Sequence, residues 1–380
     1  MKTCYLYFYD GHLSVSPTTI SLAQAMGKIF DKVVVFCKNT AFDRYTFKEK
    51  NVEAYYMNDH FLFNRKIGRT RFFIGVLRYM FKKGYSKNDM FICIDDRPLK
   101  YCNLIYKWFK IPFAFLSLEL FAGKKYKKSD AKAFKNTKAI LIQDEERLKT
   151  LLNKFDAENL SVPVFNAPNI SIDIDKQNPN LENMTEQFDI AQDKTKCACI
   201  GMIYDFVYSY EIAKAFKNIN NSALIYHDRR EIDKNDAYIK KILDANPNIY
   251  LSSKVYDYND IGYVYDGIDI GIACYRPSDN KYDQIGHSSG KLTFYLKYKK
   301  PVIVNRLDGY SDIVEKYDCG VIINDVNNTE EWQNAVNKIN SNYQYYSNNS
   351  YKCYMEEFDF MTKIKPFLDF SKKLTEVWML

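Results

Sequence analysis

The chain has 380 residues, of which 47% are hydrophobic and 27% are charged, a composition typical of a soluble globular protein with two domains. Its net charge of +7 favours an anionic partner, such as a nucleic acid, a membrane surface or a phosphate-bearing substrate. Nine cysteines without a CxxC pair and four histidines without metal-ligand spacing argue against a zinc site. No apolar run approaches a membrane span and the N-terminus lacks a signal-peptide pattern, so we expect a protein with buried free thiols that is cytoplasmic or attached to the inner face of the cytoplasmic membrane.

The first part of the chain alternates strand and helix patterns. The stretches TCYLYFY at 3–9 and KVVVFC at 32–37 predict strands, and Ser16-Pro17 predicts the start of a helix between them. This order is typical of a parallel, Rossmann-like sheet, in which ligands bind at the carboxyl ends of the strands. Further strands are predicted at 90–94, 112–118, 138–143 and 160–164.

Two polar residues follow predicted strands of this first sheet. His12 is a candidate acceptor-site group or general base, and a loop histidine without a role is an equally good interpretation. Asp95 ends the strand at 90–94, where its carboxylate could hold sugar hydroxyls, act as a base, or cap the next helix.

The segment 64–83 interleaves basic and apolar residues. As a helix it is about 30 Å long and basic-amphipathic, which favours contact with an anionic membrane surface. The alternative is an ordinary surface helix whose apolar side faces the core. Gly68 and Gly75 lower its helix propensity.

A second run of strand and helix patterns begins at residue 196, after a polar stretch without periodicity. The strand at 196–201 ends in Gly201, which permits close approach of a ligand to the backbone. His227 and Arg229 follow the strand at 223–226 and lie at the expected ligand edge, or in a plain solvated turn.

The stretch 287–320 contains two turns that each open a helix. In the first, Ser288 and Ser289 are good helix caps, and Lys291 follows within one turn. Free backbone N–H groups, the helix dipole and the lysine charge together predict a site for a phosphate group.

This stretch resembles the donor-binding segment of the GT-B glycosyltransferases. The resemblance rests on SSGKLTFYL at 288–296, KPVI at 300–303 and GYSDIV at 309–314. One position departs from the family pattern: Phe294 stands where the family has a glutamate that holds sugar or ribose hydroxyls of the donor. The resemblance therefore leaves open the donor and the choice between an inverting and a retaining reaction.

The resemblance implies an α/β fold of two Rossmann-like domains that face each other across a cleft. We expect an acceptor-binding domain at 1–168, a linker at 169–195, a nucleotide-sugar-binding domain at 196–355 and a helix at 356–380 that crosses back to the first domain. It also suggests Glu119, in a segment similar to the family's H/S-x-E-L, as an acceptor-site carboxylate. The expected donor-site residues are Gly201, His227, Arg229, Tyr275, Arg276, His287, Ser288, Ser289, Gly290, Lys291, Gly309 and Asp312.

The function implied is transfer of a sugar from a nucleotide-diphosphate sugar to a glycan or a lipid-linked acceptor in cell-surface polysaccharide biosynthesis. Such enzymes need neither a further cofactor nor an obligatory metal, and an inverting enzyme would use Glu119, Asp95 or His12 as its base. Phe294, and a turn after Gly201 without Arg or Lys, also allow a non-catalytic nucleotide-sugar or glycan-binding protein. No nucleic-acid motif is present, so a nucleic-acid partner is not expected.

Overall fold

The structure is a computed structural model that describes residues 1–39, 45–57, 65–120, 126–172, 176, 178–228, 231–252, 254–277 and 285–376, with only the backbone of 65–67. The chain divides into two compact units. The first comprises Met1–Ile172 and Phe360–Leu380, and the second comprises Asp173–Asp359.

Unit 1 contains a seven-stranded parallel sheet in the order β3-β2-β1-β4-β5-β6-β7. Most of its strands are continuous apolar runs, as expected for a parallel sheet covered by helices on both faces. The strands are β1 (Thr3–Tyr7), β2 (Lys32–Lys38), β3 (Val52–Met57), β4 (Met90–Ile94), β5 (Phe113–Leu116), β6 (Ile140–Ile142) and β7 (Val164–Asn166).

The helices of unit 1 connect successive strands and bury an unusually aromatic core. Tyr5 stacks on Phe36 and Phe91, and Tyr7 stacks on Phe72, so rings from strands and helices fill the same layer. The helices are α1 (Pro17–Gly27), α2 (Arg65–Lys83), α3 (Leu99–Phe109), α4 (Lys128–Phe134) and α5 (Glu145–Lys154).

Unit 2 repeats this plan with a six-stranded parallel sheet in the order β10-β9-β8-β11-β12-β13. Its strands are β8 (Thr195–Ile200), β9 (Ser222–His227), β10 (Tyr250–Ser252), β11 (Ile270–Ile272), β12 (Val302–Asn305) and β13 (Gly320–Ile323). Its helices are α6 (Ser209–Phe216), α7 (Ala237–Ala245), α8 (Gly262–Asp266), α9 (Gly290–Lys297), α10 (Ser311–Tyr317), α11 (Thr329–Ser341) and α12 (Tyr343–Cys353).

The end of the chain returns to unit 1. A π-helical turn, Tyr354–Phe358, closes unit 2, and α13 (Phe360–Glu376) then packs on α1 and β7 of unit 1. Phe367 contacts Phe165 with ring centroids 5.5 Å apart. The apolar residues of the tail are thus buried in unit 1.

The alternation of strands and helices that the sequence predicts is confirmed. The edge strands β3 and β13 were not predicted. Residues 178–194, in the expected linker, belong to unit 2: Gln187 donates to Ser252 over 3.1 Å, and Tyr263 donates to the carbonyl of Asn178 over 2.8 Å. All nine cysteines are buried free thiols, as expected.

Candidate functional site

The predicted phosphate site of unit 2 is built at the start of α9, the helix that follows β11. Ser289 caps this helix, because its hydroxyl accepts from the backbone N–H of Leu292 over 3.2 Å. The same hydroxyl lies 2.8 Å from the hydroxyl of Tyr275. A short 3-10 turn, Gly286–Ser288, precedes the cap, and Ser288 donates to the carbonyl of Ile285. The turn is therefore held in place before any ligand binds.

Lys291 projects from the first turn of α9 over the carboxyl end of β8. A Cβ atom placed on Gly201 would lie 3.0 Å from Cε of Lys291. The aliphatic part of the Lys291 side chain therefore covers the glycine. Gly201 has φ of +109°, a backbone conformation that residues other than glycine rarely adopt. Burial raises the pKa of the Cys199 thiol to about 12, and the Lys291 charge partly offsets that rise. The structure thus brings together two predicted donor-site residues that are far apart in sequence.

Tyr275 is fixed at the end of β11 by a reciprocal clamp. Its backbone N–H donates to the side-chain oxygen of Asn305, and the Asn305 amide donates back to the Tyr275 carbonyl over 2.9 Å. The Tyr275 ring packs edge-on against Tyr310. Because the ring is buried, Tyr275 positions the Ser289 cap in this structure. Asn305 was not singled out from the sequence, since its role depends on strand pairing rather than on a motif.

Arg276 is engaged by two carboxylates of its own unit. Its guanidinium donates to Glu211 over 2.7 Å and to Asp205 over 3.3 Å, and it lies over the ring of Tyr208. Its backbone N–H donates to the carbonyl of Phe206, which joins the loops after β8 and β11. A phosphate that used Arg276 would have to compete with these carboxylates.

Four other predicted residues of this edge have local partners. Gly309, with φ of +70°, donates its N–H to Asp312 over 3.1 Å, so Asp312 fixes the second turn. His287 lies 3.5 Å from Glu357 in the π-helical turn. His227 is buried at the end of β9, where its ring contacts Ser252 over 3.0 Å. Arg229 lies outside the described residues.

Phe294 occupies an interior position on α9. It is fully buried and stacks on Tyr265, with ring centroids 5.5 Å apart and an interplanar angle of 9°. The position where the family has a glutamate is therefore part of the core of unit 2. A ligand hydroxyl at this edge must find its partners among other groups.

A second site lies in unit 1, where a cavity of about 430 Å³ opens at the carboxyl ends of β1, β4 and β5. It brings together the three predicted catalytic candidates, His12, Asp95 and Glu119, which are far apart in sequence. The polar residues that line it are Asp10, His12, Ser16, Asp95, Asp96, Arg97 and Glu119. Asp10 and Arg97 form an ion pair that the sequence analysis did not predict.

Asp95 is the buried carboxylate of this cavity. Its oxygen accepts the backbone N–H groups of Leu118 over 2.8 Å and Glu119 over 3.1 Å. Burial raises the pKa of Asp95 to about 7, against the lowering effect of these two donors. A carboxyl group with this pKa can accept or release a proton near neutrality, which a general base requires.

Glu119 and His12 are more exposed than Asp95 at the rim of the cavity. Arg147 stabilises the Leu118-Glu119 segment, because its guanidinium donates to the Leu118 carbonyl over 2.9 Å. Asp144 caps α5 by accepting from the Arg147 backbone N–H. Both residues therefore stabilise the local structure beside the cavity.

Within the described ranges, no three His, Cys, Asp or Glu side chains lie close enough to hold a metal ion. No described helix is both long and apolar enough to cross a bilayer.

The sequence matches no protein-family model and no curated protein. The structure, however, matches solved structures along almost the whole chain. A glycosyltransferase from Rickettsia africae ESF-5 superposes with a TM-score of 0.71 at 13% identity, over 98% of each chain. Anabaena HepE in complex with UDP gives 0.69 at 11% identity, over 97% of this chain and 99% of HepE. Sucrose-phosphate synthase from Thermosynechococcus elongatus gives 0.68 at 11% identity, over 99% of this chain and 100% of the synthase.

These matches cover both units, and each unit carries its own parallel sheet with helices on the expected connections. At such low identity the likeness shows architecture and not activity. The chain has the GT-B fold of two Rossmann-like domains that these solved glycosyltransferases share.

Proposed function

We propose that this protein is a metal-independent glycosyltransferase that moves a sugar, typically a hexose, from a nucleotide-diphosphate sugar to a hydroxyl of a glycan or lipid-linked acceptor. We place it in the biosynthesis of a cell-surface polysaccharide such as capsule, O-antigen or lipopolysaccharide. No cofactor beyond the donor is required by this proposal. It is supported by the GT-B fold and by the solved HepE complex, in which a protein of this fold binds UDP.

The observation that carries the proposal is the position of Lys291 over Gly201. A cation, a glycine with positive φ and a capped helix start meet at the carboxyl edge of one parallel sheet. Helix N-termini and lysine ammonium groups both stabilise phosphate oxygens. Sugar transfer leaves a diphosphate on which negative charge develops, so groups fixed in advance around it would lower the barrier.

The acceptor hydroxyl is assigned to the cavity of unit 1, with Asp95 as the base. Among the three candidates, Asp95 alone combines burial with a pKa raised to about 7. Glu119 and His12 would contact acceptor hydroxyls at the rim. This assignment applies to an inverting reaction, in which one carboxylate deprotonates the attacking hydroxyl.

A non-catalytic nucleotide-sugar or glycan-binding protein is the second candidate function. It is favoured by Phe294, which is buried where the family has its donor-binding glutamate, and by a turn at 202–205 without a basic residue. Such a protein would bind the nucleotide without turnover. Incubation with a panel of nucleotide sugars, with release of nucleoside diphosphate as the readout, separates the two functions.

Lys291→Ala tests the proposed diphosphate site. Because a preorganised charge is lost from the leaving group, we expect nucleoside diphosphate release to fall by about 100-fold or more. Lys297→Ala, on the last turn of the same helix, is the matched control and should retain wild-type turnover. Normal turnover by a folded Lys291→Ala variant would refute the assignment.

A further inference from the structure

The long basic helix α2 does not offer its apolar side to a partner. Phe72, Phe73, Val76 and Met80 are all buried in the core of unit 1. A membrane contact in which this apolar face enters the bilayer is therefore not available to the folded protein. Any contact made by this region must use the residues that α2 and its neighbour α3 leave exposed.

These two helices expose an aromatic cluster at their carboxyl ends, which we call the aromatic patch. It consists of Phe81, Tyr85, Trp108 and the half-buried Phe109. Phe81 is 59% exposed, Trp108 is 57% exposed and Tyr85 is 42% exposed. Phe109 contacts Tyr85 at 5.0 Å and Phe81 at 5.8 Å between ring centroids, and Trp108 at 6.2 Å. Large apolar groups gathered at the surface in this way mark an interaction site.

The two helices that carry the aromatic patch hold charged residues of one sign. The stretches 65–88 and 99–110, which contain α2, α3 and the turn after α2, hold eleven Lys and Arg residues and no Asp or Glu. Their charge exceeds the +7 net charge of the whole chain. Lys82, Lys83 and Lys107 are exposed beside the aromatic rings. The patch is therefore complementary to a surface that is both anionic and able to accept apolar rings.

The exposed residues of α2 continue the patch along the helix. Arg71, Ile74, Arg78 and Phe81 recur at intervals of three and four residues and are all exposed. This spacing places them on one face of a helix. Over nineteen residues the helix is about 28 Å long, so this face is long enough to contact several lipid headgroups at once.

We infer that this face docks the protein on an anionic lipid bilayer, with the aromatic patch inserted at the level of the headgroups. Tryptophan and tyrosine prefer that level of a bilayer, and lysines beside them attract acidic lipids. Nucleic acid fits less well, because Phe81 meets Tyr85 at 82° and Trp108 meets Phe109 at 90°. Rings packed edge to face do not form parallel platforms for stacked bases.

The test is co-sedimentation with vesicles of phosphatidylglycerol and phosphatidylcholine, compared with phosphatidylcholine alone. We expect binding to the anionic vesicles only, and binding that weakens as salt is added. Phe81→Ser/Trp108→Ser and Lys82→Glu/Lys83→Glu should each lower the vesicle partition coefficient by about tenfold or more. In a Trp378→Phe background, Trp108 emission should shift to the blue on binding, since Trp332 is buried and already shielded.

Matched variants in other parts of the chain control for loss of apolar area and charge. Val255→Ser/Tyr345→Ser removes two exposed hydrophobic side chains of unit 2, and Lys372→Glu/Lys373→Glu reverses two exposed charges of α13. Both should bind vesicles as the wild type does. The inference is overturned if the wild type ignores anionic vesicles, if patch and control variants bind alike, or if the protein binds a single-stranded oligonucleotide and not the vesicles. None of these readouts depends on sugar transfer.

Discussion

Asp95 shows how one residue combines a backbone constraint with a chemical property. It follows β4 with φ of +59°, a left-handed conformation in which Asp and Asn are the most tolerated residues after glycine. In this conformation the Asp95 carboxylate is buried and accepts hydrogen bonds from the backbone N–H groups of Leu118 and Glu119. Burial favours the neutral form and raises the pKa to about 7, so the ionised form is reached at a cost in folding free energy.

Asp95→Asn should change how stability depends on pH. A carboxyl group whose pKa is raised from 3.8 to about 7 stabilises the fold fully below pH 3.8 and loses that contribution as pH rises through 7. Asparagine keeps an acceptor oxygen and tolerates the left-handed backbone, but it does not ionise. From about pH 5 to 8 the wild type should therefore lose free energy of unfolding relative to Asp95→Asn, on the order of 1–4 kcal/mol.

Chemical denaturation across this pH range measures the difference. Asp96→Asn is the matched control, because Asp96 is the neighbouring and less buried carboxylate. If the wild-type and Asp95→Asn curves run parallel from pH 5 to 8, the raised pKa is wrong and Asp95 loses its claim to be the base.

The individual residues of unit 1 were partly predictable from the sequence. His12, Asp95 and Glu119 each follow a strand, and a parallel sheet gathers such positions at one edge. In the structure all three residues line the same cavity. The pairing of Asp10 with Arg97 was not predictable, because it joins two loops through side-chain directions that no local pattern encodes.

At the scale of elements, α9 connects the turn at Gly286–Ser288 to the sheet of unit 2. Tyr295 donates to the Ala198 carbonyl over 2.8 Å and accepts from the Ile200 N–H over 2.9 Å. A Cβ atom on Gly271 would lie 2.3 Å from the Tyr295 ring, so glycine at this position lets the helix pack closely on β11. The sequence predicted that a helix follows the turn with Ser288 and Ser289, and the structure has it at Gly290–Lys297. Phe294 is buried because it packs on Tyr265 of α8. The apolar pattern of α9 alone could not predict this contact.

Phe294→Glu should destabilise the protein rather than restore a family function. A carboxylate would replace a buried ring that stacks on Tyr265, and burying a charge without a partner is costly. We expect a loss of roughly 3–5 kcal/mol, against roughly 1–2 kcal/mol for Phe294→Leu, which keeps an apolar side chain. Thermal unfolding of both variants measures this. A stable Phe294→Glu variant with tighter binding of a nucleotide sugar would contradict the interior placement.

The whole molecule consists of two units built on one plan, with the ends of the chain both in unit 1. The repeated alternation of strands and helices made this plan predictable, since each apolar run is short and bounded by turn residues. The edge strand β3 was harder to predict, because Val52–Met57 is only partly buried and its pattern is mixed. Residues 178–194 are joined to the rest of unit 2 by single side-chain contacts, which produce no periodic pattern in the sequence.

The central claim is that the carboxyl edge of the unit 2 sheet binds the diphosphate of a nucleotide sugar. Hydrogen exchange measured by mass spectrometry, with and without UDP, tests it directly across the whole chain. We expect UDP to slow exchange in peptides that cover 201–206 and 286–292, and we expect Lys291→Ala to remove this protection at the same UDP concentration. Protection confined to unit 1, or protection of 286–292 that is unchanged in Lys291→Ala, would contradict the account.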